Sequence, residues 1–376
     1  FELNPRTRLT FVQYFDMAIT FSIIYLLNII LFLETFKRIG SSNQQWCSVW
    51  PTALFVFYVL RFVLPIFDHW SSRKVMLNAI YQCMIAPFGV VRFRDFFTGD
   101  VLTSLSKVFV DIYLSACIIV VNEYSVAEEE SVCVQSKFTK ILKPILICSP
   151  YWYRFMQCIN RYYVTGERVP NGFNALKYGL SLSVTLMGSF HSTYSHADFD
   201  GDEDDEFNAG RGIWLALTVI STFYLIFWDL KMDWNLFPWT ERKRQYPASW
   251  YYAAVVVDCM LRFVWTFTLF PSEANPYFND NGFLGLHQAG FLAFIECAEV
   301  FRRCVWAIFR VEKAHNGQQE EFRSYQYIPL FYENNTFIKN NQKKSKPLTM
   351  FMEVVAIFTI LAVVAVIIVL TKDHSS

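Results

Sequence analysis

Glycine is scarce, 14 residues of 376, which excludes a collagenous or Gly-rich low-complexity chain. No charge of one sign dominates either. Lys and Arg number 33 and Asp and Glu also 33, so the basic excess of a nucleic-acid binder is missing. The nine cysteines show no CxxC or Cys/His spacing, which argues against a zinc or redox motif. There is no signal-peptide pattern, internal repeat or coiled-coil heptad. No nucleophile–base pair or metal motif stands out, so neither an enzyme nor a cofactor is expected. The sequence opens at Phe1 rather than Met, and we expect it to begin inside a longer protein.

What is abundant is apolar and aromatic. Hydrophobic residues make up 54% and aromatics 18%, with 38 Phe, which points to an all-α, polytopic transmembrane helical bundle. A spanning helix needs about 20 mainly apolar residues. Nine stretches qualify: 11–33, 46–67, 100–121, 138–160, 172–195, 211–229, 250–270, 284–310 and 350–371. The fourth is the weakest, because Pro144 and Pro150 interrupt it. The amphipathic run from Arg73 to Phe97 has Pro87 in its middle and is expected to lie along the membrane interface.

Loop charge orients these spans. With residue 1 in the cytosol, the inner segments carry 18 Lys/Arg and the outer ones 4, as the positive-inside rule requires. The acidic run "HADFDGDEDDEFNAG" then falls outside and "ERKRQY" inside. The polar stretch "NNTFIKNNQKKSKP" reads as a flexible cytosolic linker.

Charges inside the spans are costly, at least ~2.5 kcal/mol each on insertion scales. The run "FIECAEVFRRCVWAIFR" nevertheless holds Glu296, Glu299, Arg302 and Arg303. Others are Asp100, Lys107, Asp111, Arg154, Lys177, Asp229, Asp258 and Arg262. Asp258 with Arg262, and Glu299 with Arg303, are four apart and can pair along one helix face. Structural ion pairs locking helices would account for any one pair. The full set fits a polar interior better. Arg donates paired hydrogen bonds to phosphate or carboxylate. Arg262, Arg302 and Arg303, with the hydroxyls of Thr103, Ser104 and Tyr194, would make an anion site. Asp258 and Glu299 would compete for the guanidinium groups and keep binding weak enough for release. Arg302, lacking a carboxylate four residues away on its own helix, is expected to suit an anion better than a lock.

The segments "FELNPR", "LTSL", "RFMQCINRYY", "NALKY", "FWDLKMDWNLF", "DCMLRFVWTF" and "EVFRRCVWAIFRVEKAHN" together resemble the EXS domain of the SPX-EXS phosphate exporters. The resemblance runs from Phe1 to about Arg323, and "FELNPR" is similar to the family's animal retrovirus-receptor branch. It implies export of inorganic phosphate along a channel-like path and a role in phosphate homeostasis. It places Asp100, Thr103, Arg262, Glu299, Arg302 and Arg303 on that path, Asp229 and Asp233 near its cytosolic mouth, and Trp265 as a gate. It also implies domains at 1–323 (transport), 324–349 (cytosolic linker) and 350–371 (an additional helix without a family counterpart).

Departures from the family pattern matter as well. The SPX domain through which inositol pyrophosphates would regulate the family is absent from this sequence, as are the first helices. Ser195 stands where a family lysine is expected. Several other features have plainer readings. His191, His196 and Asp198 belong to a solvated acidic loop more readily than to a metal site, since the glycine of "DFDGDEDDE" is misplaced for an EF-hand. The Asn334 sequon lies on the cytosolic side in this topology. Cys117 and Cys133 could form a disulfide on the oxidising side, or pack as free thiols. The alternative to phosphate export is a membrane receptor or scaffold, of the virus-receptor or Golgi protein-retention type, with structural ion pairs. Membrane lipids and a second copy as a homodimer are the further partners considered, in the plasma membrane or the Golgi and endomembranes.

Overall fold

In a computed structural model of the chain, the described residues are 10–39, 48–66, 69–89, 91–121, 131–190, 209–237, 244–264, 266 and 288–326. Every regular element among them is helical. By contacts the chain divides into two compact units, residues 1–99 with 106–149, and residues 100–105 with 150–376.

The first unit opens with α1 (Phe11–Ile39). Its start carries a reciprocal cap: the Thr10 amide donates to the Gln13 side chain at 2.8 Å, and the Gln13 amide donates back to Thr10 Oγ1 at 3.3 Å. Two otherwise orphaned amides are satisfied at once. Lys37 and Arg38 close the last turn, where the helix dipole favours cations. Helix α2 (Val49–Val63) packs on α1 through polar bolts. Asn28 donates to the Trp50 carbonyl at 2.8 Å, Trp50 Nε1 to Thr35 Oγ1 at 2.9 Å, and the Tyr58 hydroxyl to the Phe21 carbonyl at 3.1 Å. In an apolar surrounding such bonds have few competitors.

The amphipathic run folds as α3 (Trp70–Met84) and the start of α4 (Phe93–Ser104), with turns between them. The expected single span 100–121 is broken. Helix α4 ends at Ser104, α5 (Ser106–Val121) follows, and the two axes bend by 64°. The Leu105 amide turns back to the Leu102 carbonyl, three residues away, at 3.0 Å, which tightens the chain out of α geometry. The short α6 (Val132–Gln135) is joined to α5 by a disulfide between Cys117 and Cys133. Thr139 fastens the same corner, donating to the Cys133 carbonyl at 2.6 Å.

Helix α7 runs unbroken over Lys137–Thr165, so the interruption expected from Pro144 and Pro150 does not occur. Pro150 has no amide hydrogen for the Leu146 carbonyl. The Ser149 hydroxyl donates to that carbonyl instead, at 2.9 Å. A neighbouring serine thus re-satisfies the group that proline frees.

The second unit holds the last turn of α4, the rest of α7, α8 (Phe173–Phe190), α9 (Ala209–Trp228), α10 (Ala248–Arg262) and α11 (Gln288–Gln326). Helix α8 packs on α9, and α10 on both α9 and α11. Its apolar centre is built from Phe155, Cys158, Ala175 and Tyr178. After α9 the chain widens into a π-helical turn, Asp229–Asp233. There the Trp234 amide reaches five residues back to the Asp229 carbonyl at 2.8 Å. Such turns recur at functional sites.

By length and composition alone, two described helices could cross a membrane, Val12–Arg38 and Gly212–Asp233, and the bent α4–α5 pair would make a third. The other described stretches fall short because they are shorter, less apolar or more charged. Helix α11 extends past the expected end at 310, and the helix expected at 350–371 lies outside the described residues.

Candidate anion site

All of the site lies within the second unit. Its foundation is a closed set of ion pairs between α9, α10 and α11. Arg302 donates from Nε to Glu299 Oε2 and from Nη2 to Glu299 Oε1, both at 2.7 Å, and from Nη1 to Asp258 Oδ1 at 2.9 Å. Asp229 Oδ2 lies 3.6 Å from the same Nη1. Arg262 donates from Nε to Asp258 Oδ2 at 3.3 Å and from Nη2 to Asp229. The π-turn lets Asp229 reach both arginines from the end of its helix.

This arrangement corrects two expectations. Asp258 and Arg262 pair at four residues' spacing, whereas Glu299 pairs with Arg302 at three, not with Arg303 at four. Arg302, expected to be the unpaired cation, contacts three carboxylates. Both spacings bring side chains together on a helix. A residue of another helix decides between them: Ser104, at the end of α4, donates to Glu299 Oε1 at 2.6 Å and accepts from Arg303 Nε at 2.6 Å. Arg303 Nη2 lies 3.4 Å from Thr103 Oγ1, and its guanidinium sits 4.6 Å from the Trp306 ring centroid. Arg303 makes no ion pair among the described residues.

A second such cation is Lys177 of α8. Its side chain is buried, with Nζ 4.5 Å from the Tyr178 ring centroid and 5.0 Å from that of Trp228. These faces stabilise a cation without neutralising it. With each side chain at its ordinary charge, Lys177, Arg262, Arg302 and Arg303 oppose Asp229, Asp258 and Glu299. One net positive charge remains, around a cavity of about 340 Å³.

Thr103, Lys177, Asp229, Arg262, Glu299, Arg302 and Arg303 line that cavity. Other expected site residues stand behind it. Ser104 bridges Arg303 and Glu299, and Asp258 bridges Arg262 and Arg302. Asp100 is buried against Arg154, which donates from Nε at 2.7 Å, and it accepts the Tyr178 hydroxyl. Asp233 accepts from Trp306 Nε1 at 3.2 Å and lies 3.5 Å from Arg310 Nε. Tyr194, Trp265, and His191 with His196 and Asp198 lie outside the described residues. Lys177 was missing from the expected phosphate contacts, although a lysine within the apolar run of "NALKY" was its signal. The cavity's hydroxyls from Ser181, Thr185, Thr218, Ser221 and Thr222 were missed too. They look like ordinary helix serines and threonines until α8 and α9 are placed side by side.

The EXS family model matches residues 1–316. The chain belongs to the EXS family. Among curated relatives, this EXS chain is 30% identical to human solute carrier family 53 member 1, over 90% of its own length and 49% of the relative's. It is 29% identical to the zebrafish xenotropic and polytropic retrovirus receptor 1 homolog, with the same coverages. With SPX and EXS domain-containing protein 1 of Dictyostelium discoideum it shares 28% identity, over 93% of its length and 37% of the relative's. The chain spans about half the length, or less, of these relatives. Family and helices together make it a membrane protein.

Proposed function

We propose that this EXS domain moves inorganic phosphate across the membrane, outward from the cytosol, through the cavity between α8, α9, α10 and α11. The observation that carries the reading is the pair of cations, Lys177 buried and Arg303 half-buried, that line the cavity without an ion-pair partner among the described residues. A buried cation is costly unless something neutralises it. A transient oxyanion would do so. The carboxylates Asp229 and Glu299 in the same wall keep the net charge near one, so an anion is attracted without being trapped. Membership of a family with solute-carrier members supports transport. The full sequence resemblance supports phosphate as the cargo.

Arg302 favours a second role for part of the set. With three carboxylate contacts it fits a structural lock, which a receptor or scaffold would also need. Lock and path are compatible, because different residues serve them.

The test is phosphate efflux from proteoliposomes containing the full chain. Efflux should exceed that of empty vesicles and fall to near background in Lys177→Ala and Arg303→Ala proteins that insert normally. Efflux equal to the parent's in both variants would overturn the site, and no efflux from the parent would overturn the function.

A further inference from the structure

Next to the charged cluster, the same cavity is walled by hydroxyls. Along α8 they follow Lys177 at one-turn intervals as Ser181 and Thr185. Along α9 they precede Asp229 as Thr222 and Thr218. The charged cluster therefore gives way to hydroxyls in the same direction along both helices.

A hydroxyl has one hydrogen to give and two lone pairs to accept with. Here the hydrogens are already committed. Ser181 donates to the Lys177 carbonyl at 3.2 Å, and Thr185 to the Ser181 carbonyl at 2.8 Å. Thr218 donates to the Trp214 carbonyl at 2.8 Å, and Thr222 to the Thr218 carbonyl at 2.8 Å. At the cluster's edge, Thr103 donates to the Asp100 carbonyl at 2.7 Å, and the Tyr178 hydroxyl to the Asp100 carboxylate. Back-bonding of this kind is common in apolar helices. Its consequence at a cavity wall is specific: what faces the cavity is a row of acceptors. Ser221 alone among the hydroxyls of this α8–α9 wall makes no such bond among the described residues.

Building on the proposed transport of phosphate, we infer that Ser181, Thr185, Thr218 and Thr222 form a specificity wall that selects oxyanions carrying their own hydroxyl hydrogens, so that dihydrogen phosphate passes and sulfate is rejected. The cationic cluster attracts both anions. It cannot tell them apart. The hydroxyl wall can, because a protonated phosphate donates its P–OH hydrogens to the waiting lone pairs. Sulfate at neutral pH has no hydrogen to offer and meets acceptor against acceptor. Turning a hydroxyl toward sulfate would take its hydrogen from a backbone carbonyl in a low-dielectric wall and leave that carbonyl with one bond fewer. A site built to bond a substrate's hydroxyl rejects analogues that lack it, because its buried polar groups are left unmatched.

The experiment loads proteoliposomes of the full chain with equal phosphate, arsenate and sulfate and follows the efflux of each by ion chromatography. Arsenate, protonated much like phosphate, should leave at a similar rate. Sulfate should leave at least about tenfold more slowly, the order of loss when a buried acceptor goes unmatched. The isosteric replacements Thr218→Val and Thr222→Val, alone and together, should move the sulfate-to-phosphate ratio toward one. That ratio is internal to each sample, so reduced insertion does not mimic it. Parent protein passing sulfate as fast as phosphate would overturn the specificity wall and leave transport standing. Full discrimination retained in the double variant would overturn its assignment to these threonines. Failure to release any of the three anions would overturn transport itself, and the selectivity with it.

Discussion

Arg303 and Ser104 meet across 199 residues of sequence, Arg303 Nε donating to Ser104 Oγ at 2.6 Å while Ser104 passes its own hydrogen to Glu299 Oε1 at 2.6 Å. One small hydroxyl thus holds a cation and a carboxylate apart and in place. Ser104→Ala removes the bridge, and charge-assisted hydrogen bonds contribute about 1.5–3 kcal/mol each. Phosphate efflux should fall severalfold, with Ser104→Thr retaining more than Ser104→Ala. Efflux equal to the parent's in Ser104→Ala would mean that Arg303 holds its position without the serine.

Arg302 and Arg303 are neighbours in sequence with opposite expected phenotypes. Removing Arg302 leaves three carboxylates short of a buried partner, a loss of about 3–5 kcal/mol. Arg302→Ala protein should therefore show a lower melting temperature and poor recovery after detergent extraction. Arg303→Ala should stay close to the parent in both and lose flux. Fluorescence-detected size exclusion with thermal challenge, run beside efflux, separates the two. Equal thermal loss in both variants would refute the division between lock and path.

The disulfide between Cys117 and Cys133 closes a short loop, with a sequence separation of 16. A loop of about 15 residues is worth about 3 kcal/mol in the chain-entropy description. Reductant should lower the melting temperature of the parent and leave a Cys117→Ser/Cys133→Ser protein unmoved. An unchanged parent melting curve after verified reduction would show that the Thr139 bonds alone hold this corner.

Orientation can be checked at two described positions. Lys37 closes α1 on the side that loop charge assigns to the exterior, and Glu167 follows α7 on the side that it assigns to the cytosol. In right-side-out vesicles, Lys37→Cys should react with an impermeant thiol reagent, and Glu167→Cys only after permeabilisation. The reverse pattern would invert the topology.

The sequence revealed the class of the fold and singled out most of the charges that the structure gathers around the cavity, because charges within apolar runs are rare enough to stand out. It also showed the Asp258–Arg262 pair, where both partners lie one turn apart on one helix, although not the further partners that each finds on other elements, Arg302 for Asp258 and Asp229 for Arg262. It did not show the partner of Glu299. Arg302 and Arg303 are both within reach, and the decision rests with Ser104, 195 residues away. The unbroken α7 was hidden for a different reason. Pro144 and Pro150 are strong local signals, and the rescue by Ser149 depends on a side-chain rotation that composition does not record. The break at Leu105 has neither proline nor glycine to announce it. Lys177 was visible as a lysine in an apolar run, but its pairing with ring faces rather than with a carboxylate is a tertiary fact.

The π-turn at Asp229–Asp233 has a consequence for chain length. Each residue in an α-helix turns the chain by about 100°, so the additional residue in this wide turn acts as a phase correction. It keeps Asp229 aimed at Arg262 and Arg302 while Asp233 reaches Trp306 and Arg310. Deleting one residue between Leu230 and Met232 would restore regular α geometry and rotate Asp233 away from α11. Every side chain would remain except the one removed. The segment therefore depends on its length as well as on its two carboxylates, and a one-residue deletion would cost it a contact that no substitution elsewhere in the turn restores.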